Sequence, residues 1–167
     1  METRYPKLLF YNYYNFNKSG RYFITNRAHG ALGYSLSASI GVQIGKPKNK
    51  VVAIMGDGSF GFTVGELETA KRLKLPIIFI VISNSVYGWI KAGQKSSFNK
   101  RYYSVDFSRT DHNKVAAAYG LKTWTVTKTK DLKEVIKKAM KQKEPCLIDI
   151  ITQPLQDANA PVSEWIA

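Results

Sequence analysis

An open, parallel α/β sheet with helices on both faces is the fold this sequence predicts, on three observations. Short apolar runs such as "VVAIM" and "IIFIVIS" alternate with helix-period stretches along most of the chain, the order that builds a parallel sheet through crossover helices. Those runs are continuously apolar, as strands buried on both faces are. No internal repeat, low-complexity tract or Gly/Ser linker divides the 167 residues, so one domain is expected, long enough to bury a sizeable core.

Taken in order, the opening "RYPKLLFYNYYNFNKSGRYFIT" is aromatic and basic with no strand period. Residues 1–24 are therefore expected to form a helix or extended arm covering the protein's own core or a partner. The domain proper is placed at 25–153. "ALGYSLSASIGVQIG" reads as a helix of small residues, "VVAIM" as a buried strand, "VGELETAKRLK" as an amphipathic helix with Pro76 beyond its end, and "IIFIVIS" as a second strand. A helix near 88–98 follows, then the irregular "FNKRYYSVDFSRT", and then a helix near 111–119 closed by Gly120. "KTWTV" and "CLIDII" are strands on either side of the lysine-rich helix "DLKEVIKKAMKQKE". The Pro-punctuated tail over 154–167 is expected to be extended.

The formal net charge of +13 raises nucleic acid as a partner, since clustered Lys and Arg release counterions from phosphates. The distribution argues against it. In the lysine-rich helix, Leu132, Val135, Ile136, Ala139 and Met140 fall at helical spacing and turn most lysines outward as solvated charge. No helix-turn-helix, zinc or RNA-binding motif accompanies the charge, and an acidic protein partner suits it better. The longest apolar run, "IIFIVI", is far short of the roughly 20 residues of a bilayer helix, and "METRYPK" lacks a signal peptide's apolar stretch. No membrane role and a cytoplasmic, soluble protein are expected. The single cysteine, Cys146, excludes a disulfide framework or a cysteine-ligated metal or iron–sulfur site built by this chain alone, and reads as a small core residue.

Two successive strands end in small polar residues: Asp57 between Gly56 and Gly58, and Asn84 before Ser85. In open α/β sheets, ligands bind outside the carboxyl ends of the strands. Gly56, Gly58 and Gly61 leave the backbone open to a ligand, and the following helix directs its N-terminus at an anion. One carboxylate and one amide carbonyl form hard-oxygen coordination, suited to Mg²⁺ held jointly by protein and substrate phosphates. Against these readings stand plainer ones: Asp57 as a helix N-cap and Asn84 as a turn residue. "GDGSFG" fits Gly-x-Gly-x-x-Gly only in form, and no Gly-Lys-Ser/Thr follows as in a Walker loop.

Gly56-Asp57-Gly58, then 25 residues, then Asn84 resembles the diphosphate-binding motif of thiamine-diphosphate-dependent enzymes. From "FNKSGRYFITNRAHGALGYSLSASIGVQIG" through "VAAAYGLKTWTV" to "EPCLIDIITQP", the chain is similar to the C-terminal, diphosphate-binding domain of the acetolactate synthase and pyruvate oxidase branch. The resemblance implies the thiamine-diphosphate-binding fold, with Mg²⁺ and thiamine diphosphate as cofactors. It implies a metal held by Asp57, the Asn84 side chain and the main-chain carbonyl of Val86, completed by two diphosphate oxygens and a water. Gly58 and Ser59 would offer backbone N–H groups, and Ser59 its hydroxyl, to the diphosphate, with Gly56, Tyr87 and Gly88 in the same cradle. The carbonyl of Gly30 would face the aminopyrimidine amino group and the N–H of Leu32 a ring nitrogen, while the Leu32 side chain wedges the cofactor into its bent form. The implied activity is decarboxylation of a 2-oxo acid with or without transfer to an acceptor.

The family's activating glutamate lies in a separate pyrimidine-binding domain, and its diphosphate-binding domain usually opens with a strand and an Asp-x-Gly-like turn; this chain contains neither. The expectation is therefore half a site: a subunit, read as complete from Met1 and "APVSEWIA", paired with a second polypeptide in a hetero-oligomer and inactive alone. Ser85 stands where many relatives have a second Asn, which leaves the metal ligand intact. Arg27 and His29 are candidates for holding a substrate carboxylate or moving a proton, against a structural role at an irregular turn. Trp89 and Ile90 either line a substrate pocket or pack in the core, and Gly93 replaces a bulky or acidic pocket residue. His112 is expected to face solvent, and Glu66 and Glu68 sit in a first helical turn, where negative charge is favoured. Two other readings stay open: a sulfopyruvate- or phosphonopyruvate-decarboxylase-type subunit, for which Arg27 and the basic surface suit a dianion, and a non-catalytic cofactor-binding module. The cysteine count disfavours iron–sulfur 2-oxo acid oxidoreductases.

Overall fold

Strands apolar on both faces need helices on both sides, and the chain supplies them. The computed structural model describes residues 15, 20, 22–26 and 29–154. Most of the expected arm over 1–24, the candidate Arg27 and the tail beyond Pro154 therefore lie outside the described residues. The elements run α1 (Tyr34–Gly45), β1 (Val52–Gly56), α2 (Asp57–Thr63), α3 (Glu66–Arg72), β2 (Ile78–Ser83), α4 (Gly88–Ser97), α5 (His112–Ala118), β3 (Lys122–Val126), α6 (Thr129–Met140) and β4 (Cys146–Ile151). The strands form a four-stranded sheet in the order β1-β2-β4-β3, parallel throughout.

The pleat divides each strand between two cores. On one face Met55, Phe79, Val81 and Leu147 pack with Leu36 and Ile40 of α1, Phe60 of α2, Leu67 and Ala70 of α3 and Ala116 of α5. On the other, Ile78, Ile80, Cys146 and Ile148 meet Leu132, Val135 and Ala139 of α6. Each fully buried large apolar side chain contributes about 1.5–3 kcal/mol relative to exposure, which is why the central strands, β2 and β4, have the most continuous apolar runs. The stripe of α6 is narrower than its spacing predicts. Leu132, Val135 and Ala139 face the sheet, whereas Ile136 and Met140 are exposed one position round the helix. Cys146 is wholly buried, as expected, and burial pushes its thiol up to about 11.

Two helices end alike. After α3, Lys74 N–H donates to Lys71 O and Leu75 N–H to Ala70 O; after α5, Gly120 N–H donates to Ala117 O and Leu121 N–H to Ala116 O. Both are Schellman closures with a left-handed residue, Lys74 at φ 52° and Gly120 at φ 78°.

The main departure from expectation is α2. The sequence predicts a helix from residue 64, but helical structure starts at Asp57 and is interrupted only at Val64–Gly65 before α3. Gly58 and Gly61 lower the intrinsic propensity of this segment, yet buried Phe60 docks it on the sheet. The segment over 98–110 is irregular, as expected, and is tied back to the strand end by Tyr87 N–H to Val105 O (2.8 Å) and Phe107 N–H to Ser85 O (3.1 Å).

Candidate functional site

In the sheet register Gly56 lies opposite Ile82, so β2 runs one residue past β1, and Asp57 and Asn84 emerge from adjacent strand ends. Asp57 is only 5% exposed. Its Oδ1 accepts from Gly58 N–H at 2.9 Å, and its Oδ2 accepts from the N–H groups of Asn84 (2.8 Å) and Ser85 (2.6 Å). Two successive N–H groups converge on one oxygen because Ser85 adopts a left-handed conformation, φ 57°. Asn84 Oδ1 accepts from Val86 N–H at 3.3 Å, the turn contact of the plainer reading, and the Val86 carbonyl accepts from Gly88 N–H at 2.9 Å.

Lone pairs remain on all three would-be ligands, since a carboxylate oxygen pair has about four acceptor positions and an amide or carbonyl oxygen two. Among the described residues no Lys, Arg or His pairs with Asp57. A buried carboxylate left with backbone donors only is compensated further by a cation. Among the described residues no group of three or more His, Cys, Asp or Glu could hold a metal. A cation here would take its remaining ligands from something other than the chain's own acidic or imidazole side chains, which fits Mg²⁺ shared with phosphate oxygens. The donor set therefore fits the expected group.

A cleft of about 370 Å³ opens beside these residues, its wall including Asp57, Gly58, Phe60, Tyr87, Phe107 and His112. Gly58 has a reason beyond ligand approach. A Cβ there would lie 2.4 Å from Tyr87 Cε1, so the ring of Tyr87, tilted against Phe107 at 5.0 Å, rests directly on the backbone of α2. At Gly61, which also faces the cleft, a Cβ would meet nothing within 4 Å.

The upstream turn is fastened to α2 at one residue. Gly33, at φ 90°, donates its N–H to Ser59 Oγ (3.0 Å) and accepts at its carbonyl from Thr63 Oγ1 (3.0 Å). A Cβ at Gly33 would lie 2.8 Å from Thr63 Cγ2. The Ser59 hydroxyl is thus buried against Gly33, leaving its hydrogen as the part still able to donate. Gly30 is left-handed (φ 65°), Leu32 is half-buried, and His29 is exposed. Asn26 Nδ2 donates to Ala31 O at 2.8 Å, bracing the same turn.

One expectation fails outright, and for Ile90 one of its two readings falls. His112 does not face solvent: it is 6% exposed, its Nδ1 is 3.0 Å from Ser83 Oγ, and Phe60 packs edge-on at 5.3 Å. The cause is that Asp111, not His112, stays outside as the N-cap, accepting from Lys114 N–H at 3.0 Å, so the next residue turns inward. That cap holds the Asp111 carboxyl below its usual range. Core packing also fails for Ile90, which is 51% exposed on α4, a helix with no buried residue. Lys91 of that helix pairs with Asp106 at 2.7 Å and steadies the irregular segment.

The family model described as the C-terminal TPP binding domain of thiamine pyrophosphate enzymes matches residues 6–150. Among curated proteins, the chain is 39% identical over 119 residues to the acetolactate synthase of Bacillus subtilis (strain 168), covering 71% of this chain and 21% of that protein. It is 33% identical over 131 residues to the acetolactate synthase large subunit of Porphyra purpurea, covering 77% and 22%. Among solved structures, the thiamine diphosphate-dependent 4-hydroxybenzoylformate decarboxylase of Rhodococcus jostii RHA1 superposes with a TM-score of 0.71 at 28% identity, over 74% of this chain and 24% of that one. The chain spans about a fifth to a quarter of the length of the relatives it matches. With its parallel sheet, its polar strand ends and these matches, the chain belongs to the family of C-terminal thiamine pyrophosphate-binding domains, on the acetolactate synthase branch.

Proposed function

We propose that this domain is the cofactor-holding half of an acetolactate synthase-like 2-oxo acid decarboxylase or carboligase that works with Mg²⁺ in the cytoplasm. The observation behind this reading is Asp57, a buried carboxylate fed by three backbone N–H groups, one of them that of Asn84, and paired with no cation among the described residues. Asp57, Asn84 and the Val86 carbonyl are the metal's protein ligands. Gly56, Gly58, Ser59, Tyr87 and Gly88 form the diphosphate cradle. Gly30 and Leu32 meet the aminopyrimidine end, with His29 and Arg27 at the substrate side. When bound, thiamine diphosphate supplies the nucleophilic carbon and the electron sink for loss of CO₂; the chain's own residues orient it. The activating glutamate comes from a pyrimidine-binding domain on a second subunit.

Calorimetric titration tests the cofactor half of this reading. Thiamine diphosphate is expected to bind only with Mg²⁺, and Asp57→Asn, which keeps an acceptor for the strand-end N–H groups, is expected to weaken binding at least tenfold. Equal binding without Mg²⁺, or none in either condition with the partner present, refutes it. Turnover by the assembly reconstituted with Asp57→Asn separates an enzyme, which loses activity, from a non-catalytic module, which does not.

A further inference from the structure

The wall of the cleft contains a polar chain that none of the roles above uses. Ser83, the last residue of β2, donates its hydroxyl to Asp149 Oδ1 of β4 at 2.5 Å, and its oxygen stands 3.0 Å from His112 Nδ1 of α5. All three residues are more than nine-tenths buried. The chain is not a hydrolytic triad. The serine has a single proton, which goes to Asp149, so its oxygen is the acceptor and Nδ1 of His112 carries a hydrogen. That assignment leaves Nε2 as the ring's free polar atom. His112 lines the same cleft as Asp57 and Gly58, and among the described residues Nε2 has no protein hydrogen-bond partner. Phe60 packs against the ring at an interplanar angle of 90°, which restrains its rotation.

We infer that His112 is a ligand contact: its Nε2–H donates to a phosphoryl oxygen held in the cleft, with Ser83 and Asp149 as positioning residues that lock the ring. Donation from both nitrogens calls for the imidazolium form in the ligand complex, and the Asp149 carboxylate, 3.7 Å from Nδ1, stands where it would balance that charge. Among the described residues, the charged groups around the ring are Asp149 behind it, Asp57 in the wall of the same cleft and Asp111 outside at the cap. Two carboxylates near the cleft, Asp57 and Asp149, would repel an anion without a metal on one and a cation against the other. His112 supplies the second. This inference rests on the proposed diphosphate-binding role of the cleft.

The test uses Mg²⁺ with inorganic pyrophosphate, and then with thiamine diphosphate, as probes on the full chain. His112→Phe is expected to raise the pyrophosphate dissociation constant about tenfold or more, the scale of a hydrogen bond to a charged group. His112→Gln, which retains an N–H donor, is expected to stay within about threefold of the unchanged chain. In the unchanged chain labelled with ¹⁵N-histidine, which has two histidines, the His112 Nε2 resonance is expected to move on adding Mg²⁺ and pyrophosphate while Nδ1 stays protonated. His29→Gln assigns the signals. An unmoved Nε2 with binding intact, or a loss seen with thiamine diphosphate but not pyrophosphate, overturns the inference while leaving the cofactor reading in place. Failure of both probes to bind the unchanged chain with its partner overturns the reading beneath it, and this inference with it.

Discussion

Gly58→Ala separates two reasons for a glycine at the strand end. One is room for a ligand; the other is room for Tyr87. A Cβ at Gly58 would sit 2.4, 3.1 and 3.2 Å from three atoms of the Tyr87 ring, so the ring must move by about 1 Å to restore ordinary contact distances. The ring also packs against Phe107 at 5.0 Å, and the Tyr87 N–H is tied to the Val105 carbonyl at 2.8 Å. Overpacking of this kind costs about 1–3 kcal/mol. Against it stands up to about 1 kcal/mol gained by replacing glycine with alanine in a helix. A net destabilisation of about 1–2 kcal/mol follows. With Tyr87→Ala the clash is gone and only the gain remains. Urea unfolding of the two single variants, the double variant and the unchanged chain closes a cycle, with an expected coupling of about 1–3 kcal/mol. A coupling indistinguishable from zero would refute the packing argument and leave ligand approach as the only reason for this glycine.

The paired helix closures give opposite signs. Lys74→Gly is expected to stabilise by about 0.5–1 kcal/mol and Gly120→Ala to destabilise by about 1–2 kcal/mol, both read from urea midpoints, because only glycine takes the left-handed position without strain. Removing the Asp57 carboxylate altogether with Asp57→Ala leaves the Asn84 and Ser85 N–H groups without their acceptor, and should cost about 1–3 kcal/mol of stability even without ligand; unchanged thermal unfolding would contradict that hydrogen-bond account. Cys146 gives a pH signature. Its thiol rises from 9.0 to about 11 on folding, so the unfolded chain loses the proton first, and stability falls as pH rises from about 9 towards 11, by roughly 2–3 kcal/mol in all. Cys146→Ala should remove that slope, and an unchanged profile would show that the thiol is not its source.

The strands and their layer order were readable because apolar runs of five or six residues between turn residues have few alternative uses. The polar strand ends were readable too, since Asp57 and Asn84 interrupt hydrophobic sequence at a fixed separation. What was hidden depended on tertiary contact. Nothing local marks α2 as helical from Asp57, because two glycines argue against it and only the docking of Phe60 on the sheet decides. His112 looked like a surface residue beside Asp111 because capping assigns one of the two to solvent, and the sequence does not say which. Its partners Ser83 and Asp149 lie 29 and 37 residues away, on strands brought together only by the sheet order. The Ser59 hydroxyl was read by its motif position, whereas its contact with Gly33 links segments 26 residues apart. The narrower stripe of α6 reflects its seat over β3 and β4, where an i, i+3, i+7 set suffices.

The two hydroxyls that grip Gly33 are four residues apart on one helix, so their separation is set by a single helical turn, a rise of about 6 Å. Both ends of the proposed ligand are therefore gauged from the same short rod. The metal-side residues Asp57 and Gly58 begin α2, and the turn bearing Gly30 and Leu32 hangs from its Ser59 and Thr63. Asn84 and the Val86 carbonyl stand at the neighbouring strand end, so a displacement of α2 moves Asp57 and the Gly33 turn together relative to them. The orientation of this seven-residue segment therefore sets where the Gly33 turn stands relative to the buried Asp57 carboxylate.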